Sequence, residues 1–349
     1  MVIRISRSTP LLWRSPTEIQ LGSAADSPRL AGLTEAEQRL LRLLQSGIHE
    51  PDFERVAADF AIDERAQSRI LAAVEQALER QQPESLPGLR SGNDVDLSQD
   101  FVDSAIAEIA RANLEFRVDG RAVLEHRARQ RVYLESLERT GLMVARALSA
   151  AGIGELVTTD SSKVVASDIG ADGYPARARF AQRGEAAELI VTQGYSPTKT
   201  RFTPPHPSVL ASSRVAVLIA HGSIEPNRHQ RWLRLGVAHI AVVFSDAGFW
   251  VSPIIRPGGK PCLLCFENQR TDDDESWPVL AAQLARTSEE FADTASRWLA
   301  VSRVCEAVLG FIDEPFRERE GEPRQLSPSG AHPDCGCALG SGAEVGDKP

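Results

Sequence analysis

Four of the five cysteines stand in two closely spaced pairs, a pattern typical of a metal site built from thiolates. The first pair has the spacing Cys-x-x-Cys and the second the tighter spacing Cys-x-Cys. Together they supply four sulfur ligands, and Zn²⁺ accepts a tetrahedral four-sulfur shell without an electronic preference. The predicted ligands are Cys262, Cys265, Cys335 and Cys337. A disulfide or unligated thiols remain alternatives, because Cys-x-Cys is a less usual half-site.

The predicted zinc site is structural rather than catalytic. All four coordination positions are filled by the chain, so none is left for a water or a substrate. A metal there would bridge the 69 residues between Cys265 and Cys335 and tie the C-terminal segment back onto the body. His332 could replace one sulfur or support a ligand, although a surface loop histidine is the simpler interpretation. Cys305 lies in an apolar helical pattern and is interpreted as a buried thiol.

Composition and charge bound the class of protein. The chain has 349 residues, of which 42% are hydrophobic and 25% charged, values ordinary for a globular protein of two or three domains. Its net charge of −9 argues against nucleic acid as a partner, because phosphates require a basic surface. No apolar run is long enough for a membrane helix, and no signal-peptide core is recognisable. Together with a thiolate site, these features predict a cytoplasmic protein.

Residues 1–82 have the outline of a winged helix-turn-helix domain. A hairpin is predicted from Leu11–Trp13 and Glu18–Leu21, with a third short strand at Arg29–Ala31. The apolar period then becomes helical. Helices are predicted from the capping box at Thr34 to Gly47, over residues 52–60, and from Asp63 to about residue 80.

The charge of this module decides between two uses of such an outline. Residues 33–82 contain ten acidic side chains, six arginines and no lysine, so the module would repel DNA rather than bind it. A winged helix can instead capture a peptide as an added strand at its sheet edge. Residues 83–129 are predicted to be a linker with connecting helices.

A βαβ unit of the nucleotide-binding kind is predicted from Arg131 onward. Strands at Val132–Leu134 and Glu155–Thr159 flank a helix over residues 142–151, and Asp160 follows where a ribose would sit. The phosphate cradle is missing, because residues 135–141 contain one glycine and two glutamates. ATP is therefore not expected to bind.

The remaining elements lead toward the cysteines. A helix is predicted near residues 175–183, and the apolar run Val215–Ala220 predicts a strand buried on both faces. The other predicted elements are a helix at Asn227–Leu235, strands at 238–244 and 249–255, helices at 279–286 and 288–309, and a disordered tail at 341–349.

These segments together resemble the ThiF-like, ubiquitin-activating-enzyme-like adenylyltransferase fold over roughly residues 130–340. The resemblance rests on Asp160, on Ser167-Asp168-Ile169 and on the approach from Pro257 to Cys265. With the N-terminal module, the chain is similar to the leader-peptide-binding partner proteins of YcaO cyclodehydratases in azole-forming (TOMM/RiPP) peptide biosynthesis. The strings Pro-Gly-x-x-Pro-Cys-x-x-Cys, Arg-Thr-Asp-x-Asp, Trp-Pro and His-Pro-x-Cys-Gly-Cys carry this narrower resemblance.

The resemblance implies a non-catalytic scaffold with a structural zinc. It would hold the leader of a ribosomal precursor peptide and present that precursor to a separate YcaO cyclodehydratase for azoline formation. The leader would pair beside residues 28–32 and pack against the helix predicted from residue 63, and ThiF-like bodies commonly form homodimers. The implied peptide-binding residues are Arg29, Leu30, Ala31, Leu71, Val74 and Leu78. Core packing is the alternative for the last three.

Departures from the active family members argue against adenylyl transfer. The arginine and glutamine of their motif correspond here to Ala171 and Asp172, and their metal-binding acid falls near His221. An active ThiF-like adenylyltransferase acting on a peptide or carrier-protein C-terminus is the alternative function, and a winged-helix regulator is disfavoured by charge. His221 and His206 are interpreted as structural residues at a strand end or in a loop.

Overall fold

A computed structural model describes most of the chain. The described residues are 1–5, 9–23, 27–81, 97–116, 118–194, 196–201, 207–286, 291–317 and 331–337. They form two units, one from Met1–Glu125 with Phe316 and Arg317, the other from His126–Pro315 with the later cysteine segment. His206, the predicted tail and residues 83–96 of the predicted linker lie outside the described residues.

The first unit contains two antiparallel sheets of three strands each, ordered β5-β1-β6 and β2-β3-β4. The strands are β1 (Val2–Ile5), β2 (Leu11–Ser15), β3 (Glu18–Leu21), β4 (Arg29–Leu30), β5 (Ile48–His49) and β6 (Leu78–Gln81). The predicted hairpin and third strand are confirmed as β2, β3 and β4. The winged-helix assignment stays a prediction.

Local capping signals place the helices of this unit. Thr34 accepts a hydrogen bond from the Glu37 backbone, and the Glu37 carboxylate accepts one from the Thr34 backbone at 2.7 Å, which confirms the capping box. Gly47 ends this helix with φ of 103°, a conformation that favours glycine. The helices are α1 (Glu35–Ser46), α2 (Phe53–Asp59), α3 (Glu64–Val74), α4 (Gln99–Ser104) and α5 (Ile106–Phe116), followed by α6 (Gly120–Arg127).

The predicted third helix is too long. It ends at Val74, and after one 3₁₀ turn the chain enters β6, so Leu78 lies on a strand rather than on a helix. The cause is pairing with a distant strand, since Leu78 lies opposite Ile5 of β1. Both side chains are buried in the same core, which a strand satisfies as well as a helix would.

The second unit is built on one six-stranded sheet ordered β12-β11-β10-β7-β8-β9, in which only β12 is antiparallel to its neighbour. Its strands are β7 (Arg131–Leu134), β8 (Glu155–Thr158), β9 (Lys199–Arg201), β10 (Val215–His221), β11 (Ala238–Ser245) and β12 (Gly248–Val251). Its helices are α7 (Arg139–Ala150), α8 (Arg183–Val191), α9 (Pro207–Ala211), α10 (Pro226–Leu235), α11 (Leu263–Asp273), α12 (Trp277–Leu284) and α13 (Thr294–Ile312).

The sheet is covered on both faces. Alternate residues of β10 belong to two cores, one shared with α7 and α13 and the other with α10. Residues Val215–Ala220 are all buried, which confirms the strand predicted from their apolar run. The result is a mixed α/β unit with a mainly parallel, Rossmann-like sheet. None of the helices in the described segments combines the length and apolarity needed to cross a lipid bilayer.

Two helix predictions in this unit need correction at their starts. The segment predicted as a helix near 175–183 holds only a 3₁₀ turn at Ala176–Ala178, and α8 begins at Arg183. Phe180 explains the break, because its φ of 73° lies outside the helical region. The last long helix begins at Thr294 rather than at residue 288, with Asp293 as its cap.

Candidate functional site

The four paired cysteines meet in the second unit. Their sulfur atoms all lie within 4.8 Å of one another. The Sγ–Sγ distances are 3.9 Å for Cys262–Cys265, 3.5 Å for Cys262–Cys335 and 3.3 Å for Cys265–Cys337. A tetrahedral zinc with bonds of about 2.3 Å requires sulfurs roughly 3.8 Å apart. All four are free thiols, so the cluster could hold a metal ion.

The start of α11 positions the first pair. Cys262 occupies the N-cap and Cys265 the first turn, where its backbone N–H donates to the Cys262 carbonyl at 3.0 Å. The partial positive charge of a helix N-terminus favours a thiolate at Cys265, whereas burial raises the pKa of Cys262. Burial acts to raise the pKa of Cys265, but hydrogen bonds from the His332 backbone and the Cys337 thiol lower this pKa to about 7. Deprotonated sulfur is the form that binds metal.

His332 is not a surface residue, which corrects the interpretation from sequence. It is buried, its Nε2 lies 2.8 Å from Asp272 Oδ2, and its Nδ1 accepts a hydrogen bond from the Asp334 backbone at 3.1 Å. Both ring nitrogens are engaged, so His332 supports the cluster rather than replacing a sulfur. Its carbonyl accepts the Cys335 N–H at 3.0 Å. Its partner Asp272, 60 positions away, belongs to the Arg-Thr-Asp-x-Asp string, but that string did not indicate this contact.

Two tryptophan rings pack against Arg270 of α11. The Arg270 guanidinium lies 5.5 Å from the Trp250 ring centroid and 4.9 Å from that of Trp277. The Trp277 indole N–H donates to Glu267 at 2.7 Å. These contacts give the Arg-Thr-Asp and Trp-Pro strings a packing role next to the cysteines.

The carboxyl ends of the parallel strands are where open α/β sheets bind nucleotides. Here that edge carries paired charges. Glu135, just after β7, accepts hydrogen bonds from Arg228 of α10, with the Nε contact at 3.1 Å. Glu138 Oε1 lies 2.8 Å from Nε2 of His221, which ends β10 as the sequence predicted. Arg139 pairs with Asp172, with the Nε contact at 2.7 Å.

Asp160 follows β8 as predicted, and its carboxylate is directed into the chain. It accepts hydrogen bonds from the backbone N–H groups of Leu137 and Ser162, both at 2.8 Å, and from Arg183 at 3.3 Å. Burial acts to raise the pKa of Asp160, but these hydrogen bonds hold that pKa below its usual value. Both carboxylate oxygens of Asp160 are therefore engaged within the chain.

The one glycine of this turn serves packing. A Cβ atom at Gly141 would overlap the backbone carbonyl of Ser136, so only glycine allows α7 to approach the turn this closely. The glycine is thus accounted for without a phosphate ligand.

Helix α12 lies over the end of β10, where Ser223 donates to the Ala281 carbonyl at 2.7 Å.

The candidate peptide site lies at an edge of the first unit. Strand β4 pairs with β3 on one side, and no described residue forms a strand on its other side. Helix α3 lies beside this edge, because Arg69 donates to the Ala31 carbonyl at 3.1 Å and pairs with the buried Glu37. A peptide can add as a strand to an exposed sheet edge, which makes this edge the candidate site.

The six residues predicted for this site divide by exposure. Arg29 and Ala31 are exposed, Leu30 is buried, and Leu71 is partly buried. Val74 and Leu78 have 0% and 8% of their surface exposed and belong to the core of the unit. The candidate contact surface therefore consists of β4 and the Leu71 side of α3.

Two buried histidines form a pair that sequence reasoning missed. His229 of α10 and His239 of β11 have ring centroids 6.0 Å apart, and both rings are buried. His229 Nδ1 and His239 Nε2 have no hydrogen-bond partner among the described residues. Burial lowers the pKa of each to about 4. Both rings are therefore neutral near pH 7.

Acidification is expected to destabilise the second unit through this pair. Each pKa is lowered on folding, so protons bind the unfolded state first and stability is lost as pH falls from about 6.5 toward 4. We expect about 1 kcal/mol per histidine between pH 7 and 5.5. Urea midpoints read by tryptophan fluorescence in a Trp13→Phe background test this, because the other four tryptophans lie in the second unit. His229→Leu should reduce the pH dependence, and an unchanged dependence would contradict it.

Comparison with known proteins shows the fold. No protein-family model and no curated sequence relative matches the chain. MccB from E. coli with succinimide matches at a TM-score of 0.62 and 12% identity, over 97% of this chain and 99% of that chain. The same enzyme with ATP gives 0.61 at 14% identity over 97% and 99%. PaaA gives 0.58 at 16% identity over 90% and 92%.

The chain is thus an α/β protein with the fold of these structures. The ThiF-like part of the predicted resemblance is supported at the level of fold. A further match, the microcin C7 biosynthetic enzyme MccB in complex with N-formylated MccA, has a TM-score of 0.59 at 12% identity and covers 91% of both chains.

Proposed function

We propose that the chain is a non-catalytic scaffold that binds the leader of a ribosomal precursor peptide. It presents the precursor to a separate YcaO-type cyclodehydratase, which forms azolines from it. Holding the leader makes delivery of the remaining peptide effectively intramolecular and can raise its occupancy by roughly 10²-fold. The observation that carries the proposal is the β4 edge beside α3, with Arg69 fixing helix to strand.

The contrast between the two units supports a binding role. In the first unit, the β4 edge can accept the backbone of a guest strand, and Leu71 offers an apolar contact beside it. In the second unit, Asp160 and the glutamates of the β7–α7 turn have partners within the chain. If these carboxylates were released to bind a nucleotide, Arg183 and Arg228 would lose their ion-pair partners. Leaving those charges unpaired would cost free energy. A relative by fold, MccB, was crystallised with N-formylated MccA, which is consistent with peptide binding.

Zinc fits the cysteine cluster as a structural ion. Cys262, Cys265, Cys335 and Cys337 would hold it, and the bound ion would join α11 to the segment around His332. Four thiolates complete a tetrahedral shell, so the ion would supply no Lewis-acid chemistry to a substrate. The segment at residues 331–337 would then remain attached to the body.

Leader binding is expected to depend on Leu71. Leu71→Glu places a carboxylate beside the β4 edge and should weaken binding at least about 10-fold, because an apolar contact becomes an unpaired charge. Fluorescence anisotropy of a labelled candidate leader peptide measures the affinity with the full-length protein. Leu43→Glu is the matched control, since Leu43 is 39% exposed on α1. Equal loss in both variants, or no anisotropy change at about 100 μM wild-type protein, would contradict the proposal.

Adenylyl transfer is the second candidate function. It is favoured by the position of Asp160 at the end of β8 and by the shared fold with MccB, which was crystallised with ATP. ATP–pyrophosphate exchange with the purified chain and the precursor peptide distinguishes the two. Exchange above background that disappears in Asp160→Asn would establish the enzyme, whereas leader binding without exchange is expected for the scaffold. Homodimer formation stays a prediction.

A further inference from the structure

The segment between β8 and α8 is anchored from inside the second unit. Asp168 accepts hydrogen bonds from Arg183, with Nε at 2.9 Å, and Asp172 pairs with Arg139. Both aspartates are buried, with 1% and 7% of their surface exposed. Their charges are therefore neutralised within the unit and hold the segment in one conformation.

Backbone contacts complete this anchoring close to Phe180. The Phe180 N–H donates to the Val164 carbonyl at 3.0 Å, and the Val164 N–H donates to Ala181 at 2.9 Å. The Tyr174 hydroxyl donates to the Leu137 carbonyl at 2.7 Å and is itself buried. A segment fixed at so many points presents its exposed side chains in a defined geometry.

Phe180 of this segment is exposed and has a strained backbone conformation. Its φ is 73°, in the left-handed region that costs free energy for any residue with a Cβ atom. Its ring is 68% exposed, so burial of the ring does not offset that cost. The Arg179 guanidinium lies 4.9 Å from the ring centroid. A strained backbone at an exposed aromatic residue points to a functional constraint on this position.

The exposed charged side chains of residues 161–182 are all basic. Between residues 161 and 182 the chain has five charged side chains, and the two acidic ones are the buried aspartates described above. The three basic ones, Lys163, Arg177 and Arg179, are all exposed. Val165, next to the backbone partner of Phe180, is 47% exposed. In a chain with a net charge of −9, this segment therefore exposes basic and apolar side chains.

We propose that this surface, named the Phe180 face and formed by Lys163, Val165, Arg177, Arg179 and Phe180, docks the separate peptide-modifying enzyme. The inference rests on the proposed scaffold function and adds the face and its chemistry. The complementary surface is acidic, with an apolar pocket for the Phe180 ring. Aromatic and arginine side chains dominate binding energy at protein interfaces, and a preorganised segment loses little entropy on docking.

The alternatives to a separate enzyme are a nucleic acid and a second copy of the chain. Three basic side chains are few for a nucleic acid, whose binding the strongly acidic chain opposes. A second copy of the chain is also acidic, with a net charge of −9, so it is an alternative occupant that measurement of self-association tests. An enzyme with an acidic docking site satisfies both the charge and the exposed ring.

The test uses the full-length chain, a purified YcaO-type cyclodehydratase and a labelled candidate leader peptide. We expect Phe180→Ala to weaken enzyme binding at least about 10-fold. We expect the double variant Arg177→Glu/Arg179→Glu to slow association and reduce its dependence on salt. Phe180→Gly should also weaken binding while raising the thermal midpoint, because glycine relieves the strained φ. A purely structural role for Phe180 would lower the midpoint and leave docking intact.

Matched controls separate this inference from the scaffold function. Trp298→Ala and Arg303→Glu alter side chains on α13 that are 54% and 69% exposed, and both should leave docking unchanged. If the wild type and all Phe180-face variants bind the enzyme equally well, the Phe180 face is not the docking site. The proposed scaffold function would be unaffected by that result. A change in self-association instead would assign the face to a second copy and also overturn it. Failure of the wild type to bind the enzyme, with leader binding intact, would refute both docking and the presenting role.

Discussion

Cys265→Ser is expected to abolish stoichiometric zinc binding. Residues 331–337 should then no longer be held against α11. Cys265 lies close to one cysteine of each pair, with sulfur distances of 3.9 Å to Cys262 and 3.3 Å to Cys337. Its thiol also has the lowered pKa, which hydrogen bonds from the His332 backbone and Cys337 bring to about 7 against the effect of burial. Serine does not supply a comparable ligand, because its hydroxyl is far less acidic than a thiol.

The effect should be large because metal binding is coupled to folding. Structural zinc in small domains binds with an apparent free energy of roughly 10–16 kcal/mol, and losing one of four ligands forfeits several kcal/mol of it. The affected segment also contains the buried pair of His332 and Asp272. The variant should therefore release the cysteine segment and unfold at a lower temperature than the wild type.

Metal analysis and limited proteolysis measure the two consequences. The wild type purified without chelator should contain about one zinc per chain, and Cys265→Ser much less. Cys305→Ser is the matched control, because Cys305 is a buried thiol on α13 outside the cluster and burial raises its pKa to about 12. It should retain zinc. A zinc-free wild type, or equal zinc in Cys265→Ser, would refute the structural metal site.

Local signals in the sequence predicted the parts of the structure that depend on neighbouring residues. The capping box at Thr34 and Glu37 lies within one helical turn, and both its hydrogen bonds form. The apolar run Val215–Ala220 forms a strand buried on both faces because helices cover both sides of the sheet. The cysteine spacing predicted the cluster, because each pair is closely spaced in sequence.

Contacts between distant residues account for what sequence could not predict. Leu78 has helical spacing after Val74 but is drawn into β6 by pairing with Ile5. Asp172 was interpreted from sequence only as a departure from a family motif, yet it pairs with Arg139, 33 positions away. In the β7–α7 turn, Glu135 is likewise paired with Arg228, which lies on a helix far along the chain. Such partners follow from the topology of the sheet and not from spacing.

A second large effect is expected from Asp313→Ala, which removes one partner of a buried ion pair. Asp313 and Arg127 are 2% and 4% exposed, and their side chains form a two-pronged contact, with Nη2–Oδ2 at 2.6 Å and Nε–Oδ1 at 3.0 Å. Arg127 also donates to the Ala151 carbonyl at 3.1 Å. The pair thus joins the chain before β7 to the end of α13.

The expected cost is about 3–5 kcal/mol, because the variant leaves the arginine charge buried without its carboxylate. The adjacent residue provides the matched control. Glu314 pairs with Arg256 at the surface, where the two side chains are 37% and 53% exposed. Water and salt screen such a pair, so Glu314→Ala should cost no more than about 1 kcal/mol.

Urea unfolding in the Trp13→Phe background reports on the second unit through its four tryptophans, so both variants can be compared by one signal. Adding Arg127→Met to Asp313→Ala should recover part of the loss, since an apolar side chain removes the buried unpaired charge. Equal small losses in Asp313→Ala and Glu314→Ala would mean that the Arg127 charge reaches water. In that case burial of the pair would not explain how α13 is held against the start of the sheet.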